Sequence, residues 1–112
     1  MRATIVMLLL TIIGGMILWV AQGSGEENYE RGKNLFLEKC QLCHGKGGEG
    51  NGPGAIAFDP KPANFTDPKF WKKMNDDKIA HALRHGKGMM PAFNFSSEQI
   101  KAIIVYLKHF KK

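Results

Sequence analysis

The chain has 112 residues, enough for one domain, with 16 basic and 10 acidic residues and a formal net charge of +6 at pH 7. Nucleic-acid-binding proteins typically contain a run of basic residues interleaved with aromatic ones. This sequence has no such run, so we expect no nucleic-acid partner. A basic surface favours electrostatic steering of acidic partner proteins.

The N-terminal stretch has the layout of an export segment. Residues 3–21 contain no charged residue, Arg2 supplies a positive charge before them, and small and acidic residues follow. This pattern is typical of a cleaved signal peptide. The same 19 residues are also about long enough to cross a bilayer, with Trp19 as an interfacial anchor. We therefore predict that residues 1–23 are a signal peptide or a membrane anchor. Residues 24–112 would then form a domain in the periplasm or on the outer face of the cytoplasmic membrane.

The first helix of the domain is predicted over residues 27–39, with Asn28 as its cap. Leu35 and Phe36 give this helix an apolar face. Gly32 lies mid-helix, where glycine costs about 1 kcal/mol relative to alanine. A glycine at such a position usually allows another helix to approach closely.

The segment Cys40-Gln41-Leu42-Cys43-His44 follows this helix directly, and a C-x-x-C-H pattern is typical of c-type haem attachment. Two thiols at this spacing can add to the two vinyl groups on one edge of a haem, and His44 can present a neutral imidazole to the iron. A domain this small usually needs a stabilising disulfide or metal site. A disulfide between these two cysteines would close only a very short loop, so it would contribute little. We therefore predict one covalent haem c, held by Cys40 and Cys43, with His44 as an axial ligand.

Residues 45–75 are predicted to form a long loop with little regular structure. Six of the ten residues from 45 to 54 are glycine, and prolines recur after them. A loop of this length is unusual in a compact domain unless it packs on a ligand. We predict that the Pro53 carbonyl accepts a hydrogen bond from the second ring nitrogen of His44. Phe65 is predicted to pack on the cofactor.

A short helix is predicted over residues 75–85, with Asn75 as its cap and Gly86 as its stop. Ile79 and Leu83 lie four residues apart and share one face of this helix.

The second candidate ligand comes from the segment Gly86-Lys87-Gly88-Met89-Met90-Pro91-Ala92-Phe93. Thioether sulfur is a soft ligand that suits haem iron. Met90 is favoured over Met89 as the sixth ligand, because Pro91 fixes the backbone immediately after it.

The last helix is predicted over residues 96–111, where Ser96 and Gln99 can form a capping box. Its apolar residues recur with the helical period: Ile100, Ile103, Ile104, Tyr106, Leu107 and Phe110.

Taken in order, these segments resemble class I c-type cytochromes of the bacterial monohaem type with His/Met axial ligation. The features that match are Gly32 and Phe36, the segment from Cys40 to His44, the loop that begins Met90-Pro91, and Tyr106. The resemblance implies an all-α class I cytochrome c fold, in which three to four short helices wrap around one haem after the N-terminal hydrophobic helix. It also implies that Gly32 lets Tyr106 approach the first helix and that Phe36 packs at the crossing.

The resemblance and the ligand set imply one-electron transfer in an exported respiratory-type chain, with no enzymatic activity. Lys39, Lys46 and Lys87 are sequence neighbours of the ligands, so we expect them to guide brief, salt-sensitive docking of acidic redox partners. The alternatives are a haem-based gas sensor with an open iron site and a redox subunit of a larger membrane oxidoreductase complex.

Two further alternatives use the same cysteines for other chemistry. A zinc module would combine them with His81 and His85, but 37 residues separate Cys43 from His81, far more than in a zinc finger. Both histidines lie on the helix face opposite Ile79 and Leu83, so we expect them to be exposed. A thiol-disulfide oxidoreductase would need a βαβ pattern, which the sequence lacks.

Overall fold

The computed structural model of the protein describes residues 23–112, so residues 1–22 of the predicted signal peptide or anchor lie outside the described residues. The regular secondary structure of residues 23–112 is helical, and this part of the chain contains no β-strand. An isolated bridge joins Lys87 to Met90. None of the helices in this part of the chain is both long and apolar enough to span a membrane.

Residues 23–112 contain five α-helices. They are α1 (Gly23–Lys39), α2 (Gln41–His44), α3 (Pro68–Lys73), α4 (Asp76–His85) and α5 (Ser97–Leu107). Two 3₁₀ helices span Pro53–Ala57 and Lys108–Phe110. The number exceeds the three to four helices that the resemblance implied, because α2 and α3 are short helices of 4 and 6 residues.

The contact between α1 and α5 is the most extensive between helices in the described part of the chain. Gly32 of α1 lies directly against Ala102 of α5, and a Cβ at position 32 would stand 2.6 Å from the Ala102 carbonyl carbon. One turn further along α1, Phe36 is fully buried, and its ring centroid lies 5.2 Å from that of Tyr106. The expected close approach at Gly32 is therefore confirmed.

The predicted ends of α4 are also confirmed. The Asn75 side chain accepts a hydrogen bond from the Lys78 backbone N–H at 2.9 Å, and Gly86 follows the last helical residue. Ile79 and Leu83 are each 4% exposed, so the shared face points into the core.

The capping box before α5 has both of its hydrogen bonds. The Ser96 hydroxyl accepts from the Gln99 N–H at 3.1 Å, and the Gln99 side chain accepts from the Ser96 N–H at 2.9 Å. The α-helix gives way to a 3₁₀ turn at Lys108, so it ends earlier than residue 111.

The prediction that Asn28 caps α1 is wrong. Asn28 lies inside α1, which already includes Gly23, and the polar residues between them carry no apolar period that would have marked the helix. Residues 45–75 are mostly irregular, as predicted, but they contain α3, a helix of 6 residues. Pro68 occupies the first turn of α3, where a missing N–H costs nothing, and the Asp67 side chain accepts from the Lys69 N–H at 2.9 Å.

One apolar core joins α1, α4, α5 and the loop before α3. Its buried members are Phe36, Phe65, Ile79, Leu83, Ile100, Ile103, Ile104, Tyr106 and Leu107. One side of this core is open, and the candidate site lies there.

Candidate haem-binding site

The C-x-x-C-H segment follows α1 directly and is joined to it by backbone hydrogen bonds. The Cys40 N–H donates to the Phe36 carbonyl and the His44 N–H donates to the Cys40 carbonyl, each at 2.9 Å. Because the segment is helical, Cys40 and Cys43 lie three residues apart on one face. Both side chains are partly exposed free thiols. The buried contact between α1 and α5 therefore fixes the start of the attachment segment.

Burial, with a smaller contribution from the neighbouring Cys43, raises the pKa of the Cys40 thiol to about 11. Cys40 is therefore protonated at neutral pH. A thiol-disulfide oxidoreductase needs a cysteine with a lowered pKa, so this environment does not suit that alternative.

His44 is held as a neutral imidazole with a defined tautomer. Its ring is 9% exposed, and burial lowers its pKa although a hydrogen bond to the Ala63 carbonyl acts in the opposite direction. Nδ1 and the Ala63 oxygen are 3.0 Å apart. Because a carbonyl oxygen can only accept, Nδ1 carries the proton and Nε2 keeps a free lone pair for a metal.

The predicted role of Pro53 is therefore wrong in this structure, since Ala63 supplies the acceptor. Pro53 is the first residue of a 3₁₀ helix, in which carbonyl groups point along the axis toward N–H groups three residues later. The glycine immediately before Pro53 is required by a contact within the protein. A Cβ at Gly52 would stand 2.6 Å from the Leu42 carbonyl carbon, so glycine lets this loop pass against α2.

Phe65 covers one face of His44. The two rings are stacked, with centroids 4.6 Å apart and planes at 21°. Hydrogen bonds hold the backbone of Phe65 on both sides: its N–H donates to the Gly48 carbonyl, and its carbonyl accepts from the Trp71 indole, each at 2.7 Å. Phe65 thus restricts rotation of the imidazole.

The side chains of the two methionines after α4 lie in different environments. Lys87 and Met90 exchange two backbone hydrogen bonds of 3.0 Å, which closes a tight turn with Gly88 and Met89 at its tip. The Met89 side chain is 55% exposed, whereas Met90 packs against the core and lines a cleft. The turn therefore brings Met90, rather than Met89, to the open side of the core.

Cys40, His44 and Met90 line this same cleft, whose empty space is about 550 Å³ when the part open to solvent is included. The remaining lining is almost entirely apolar: Phe36, Ala63, Phe65, Phe70, Met74, Ala82, Leu83, Lys87, Ile103 and Leu107. A thiol that can form a thioether bond lies in one apolar cleft with a neutral imidazole and a thioether that can ligate iron, so these residues fit a covalent haem.

The family model described as cytochrome c oxidase, cbb3-type, subunit III matches residues 27–107, which include the attachment segment, the cleft and Met90. The chain belongs to this family of c-type cytochromes. Membership of the family implies a covalently attached haem c.

Known relatives of this cytochrome include a subunit of an oxidase and other c-type cytochromes. It is 33% identical over 81 residues to the cbb3-type cytochrome c oxidase subunit FixP of Bradyrhizobium diazoefficiens, covering 69% of this chain but only 26% of that subunit. It is 28% identical to cytochrome c6 of Euglena gracilis, covering 68% of this chain and 85% of that protein. The solved structure of the c-type cytochrome KustC0563 matches with a TM-score of 0.63 and 28% identity, covering 72% of this chain and 98% of that one.

The three lysines predicted to guide docking lie differently around the cleft of the cytochrome. Lys87 is among the residues that line it. Lys39 is exposed at the end of α1, and its ammonium group lies 3.5 Å from the Glu38 carboxylate. Lys46 is exposed in the loop after α2.

His81 and His85 are exposed, as expected from the face of α4 on which they lie. Cys40 lines the cleft, whereas His81 and His85 do not. Within residues 23–112, His, Cys, Asp and Glu side chains do not form any group of three or more that could hold a metal ion.

Two residues that shape the haem-binding cleft, Ala63 and Trp71, were not predicted from the sequence. Ala63 acts through its backbone carbonyl, which every residue has, so no side-chain pattern could have marked it. Trp71 belongs to no motif in the sequence, yet its indole N–H donates to the Phe65 carbonyl at 2.7 Å. A buried tryptophan usually finds a partner for its N–H, and that rule was the available signal.

Proposed function

We propose that this cytochrome is a one-electron carrier with a single haem c and no enzymatic activity of its own. Cys40 and Cys43 hold the haem through thioether bonds, and His44 and Met90 are the two axial ligands. The observation that carries the proposal is that a thiol, an imidazole and a thioether from segments far apart in sequence line one apolar cleft.

When bound, the haem supplies an iron that alternates between Fe(III) and Fe(II). The protein side chains determine how that iron is held. His44 offers Nε2 because its Nδ1–H is fixed on Ala63, and Phe65 keeps the ring from turning. Ligation by a methionine together with a histidine raises the potential relative to other axial pairs. The apolar cleft walls limit access of water and of competing ligands.

A redox subunit of a larger membrane complex is the second candidate, because a cbb3-type oxidase subunit is among the relatives. Both candidates use the same electron-transfer chemistry, and they differ in whether the domain docks briefly or permanently. A haem-based gas sensor would require that Met90 leave the iron open.

The proposal includes export of the domain. Residues 24–112 act in the periplasm or on the outer face of the cytoplasmic membrane, and residues 1–23 are a cleaved signal or a retained anchor. Covalent haem attachment in the domain and the uncharged stretch 3–21 before it support this location.

The decisive experiment is mass spectrometry of the denatured protein after expression with a haem-attachment system. The wild-type chain should carry the mass of one haem, and a C40A/C43A variant should carry none. N-terminal sequencing of the same protein from soluble and membrane fractions separates a cleaved signal from an anchor. A wild-type chain that lacks the mass of a haem, or that binds zinc in place of iron, would contradict the proposal.

A further inference from the structure

Two histidines that the haem site does not use form a pair on the exposed face of α4. The ring centroids of His81 and His85 are 4.4 Å apart, and the ring planes make an angle of 39°. In the described part of the chain, neither side chain makes a hydrogen bond or an ion pair. Two exposed imidazole rings without a hydrogen-bond or ion-pair partner in residues 23–112 therefore lie close together.

The spacing of this pair suits metal chelation. Histidines at positions i and i+4 project from one helix face and can bind a single ion, as they do in H-E-x-x-H helices. Neutral imidazole is the commonest metal ligand in proteins. The Asn75 cap and the Gly86 stop fix α4 at both ends, so the backbone positions of the two histidines are held one helical turn apart before an ion arrives.

Some of the charged groups around the His81–His85 pair favour the binding of a cation, and others oppose it. His85 is the last residue of α4, where the negative end of the helix dipole favours a cation. Asp77, one turn before His81, lines a surface pocket with it, whereas Lys78 and Lys87 line the same pocket and oppose a cation. Since no third His, Cys, Asp or Glu completes a cluster within residues 23–112, water must fill the other coordination positions.

We propose that His81 and His85 chelate one divalent transition-metal ion, with Cu²⁺ bound more tightly than Ni²⁺ or Zn²⁺. The order follows from the general affinity series of nitrogen ligands. With two protein ligands and several waters, the ion exchanges readily with solution. Met74, Ala82 and Lys87 line both the pocket at His81 and the haem cleft, so the ion lies one layer of side chains from the cleft.

The test is titration of the tag-free, full-length holoprotein with CuCl₂, followed by calorimetry and by electron paramagnetic resonance. Wild-type protein should bind one Cu²⁺ per chain with micromolar affinity and show nitrogen ligation. H81Q and H85Q should each weaken binding roughly tenfold or more. H109Q is the matched control, because it removes another exposed histidine, and it should bind Cu²⁺ as wild type does. Equal affinity of H81Q, H85Q and wild type, or loss of binding in H109Q, would overturn the proposal.

A second measurement tests the position of the ion and rests on the proposed haem. Zn²⁺ has no redox chemistry, so it reports only through its charge. Saturating Zn²⁺ should raise the reduction potential of the wild-type holoprotein, since an added positive charge favours the reduced iron. The potential of H81Q should not respond. Zn²⁺ that binds wild type without moving the potential would contradict the location beside the cleft, while the calorimetric result stands independently of the haem.

Discussion

Adjacent residues can have different fates, and Met89 and Met90 illustrate this at the scale of single side chains. The paired hydrogen bonds between Lys87 and Met90 leave Met89 at the tip of the turn and direct Met90 to the cleft. His44 shows the same dependence on its surroundings. Burial keeps its imidazole neutral, and one carbonyl selects the tautomer.

The first prediction separates the two methionines. In M90A, the ferrous holoprotein should bind carbon monoxide rapidly, because the sixth iron position is open. The potential should fall by on the order of 0.1 V, a fraction of the roughly 0.8 V range that axial ligands control. M89A should match wild type in both stopped-flow carbon monoxide binding and redox titration. If M89A behaves as M90A should, the assignment of the ligand is wrong.

At the scale of secondary-structure elements, the contact between α1 and α5 determines the position of the haem-attachment segment. α1 continues through Cys40 into α2, so any shift of α1 on α5 moves the two thiols and His44 relative to the cleft wall. The cap before α5 acts on the same contact from the other side, because it sets where that helix begins.

Replacing Gly32 by alanine should destabilise the holoprotein by about 1–3 kcal/mol, the usual cost of forcing an extra carbon into a packed contact. The added Cβ would collide with the Ala102 carbonyl group. G25A is the matched control on the same helix, because a Cβ there meets nothing within 4 Å. G25A should leave stability unchanged or raise it by about 0.5–1 kcal/mol. Urea denaturation followed by circular dichroism measures both, and equal midpoints would refute the close contact.

Replacing Ser96 by alanine removes one half of the capping box and should cost about 1 kcal/mol. S97A changes the next residue, which is already helical and makes no side-chain hydrogen bond in the cap, so its effect should stay within about 0.5 kcal/mol. Thermal unfolding of the two variants side by side makes the comparison, and a larger loss in S97A would contradict the assignment of the cap.

At the scale of the whole molecule, charge determines how partners arrive. The chain carries a formal net charge of +6, and Lys87 lines the cleft where the haem is expected to be reached. Long-range attraction of an acidic partner is weakened by salt, because the Debye length shortens from about 10 Å at 0.1 M to about 3 Å at 1 M.

The rate of electron transfer to an acidic redox protein should therefore fall by about tenfold or more between low and high salt. K87E should reduce the low-salt rate more than K101E, which makes the same change of charge on a residue that does not line the cleft. A neutral small-molecule oxidant serves as the control reaction and should show little salt dependence. A partner rate that ignores ionic strength would contradict electrostatic guidance.

The sequence by itself determined the features that depend on local patterns. Thioether attachment needs two cysteines and a histidine at one short spacing, so Cys40, Cys43 and His44 were recognisable as a haem c segment, which the family match supports. Helix α4 and the start of α5 were predictable for a similar reason, since Asn75 and Ser96 satisfy backbone N–H groups within three residues of themselves.

Only the tertiary structure decided the contacts between segments distant in the chain. The acceptor for His44 is a backbone carbonyl at Ala63, 19 residues away, and carbonyls carry no sequence signal. His44 and Met90 are 46 residues apart in sequence, and they share a cleft because α5 packs on α1 and α4 packs on α5.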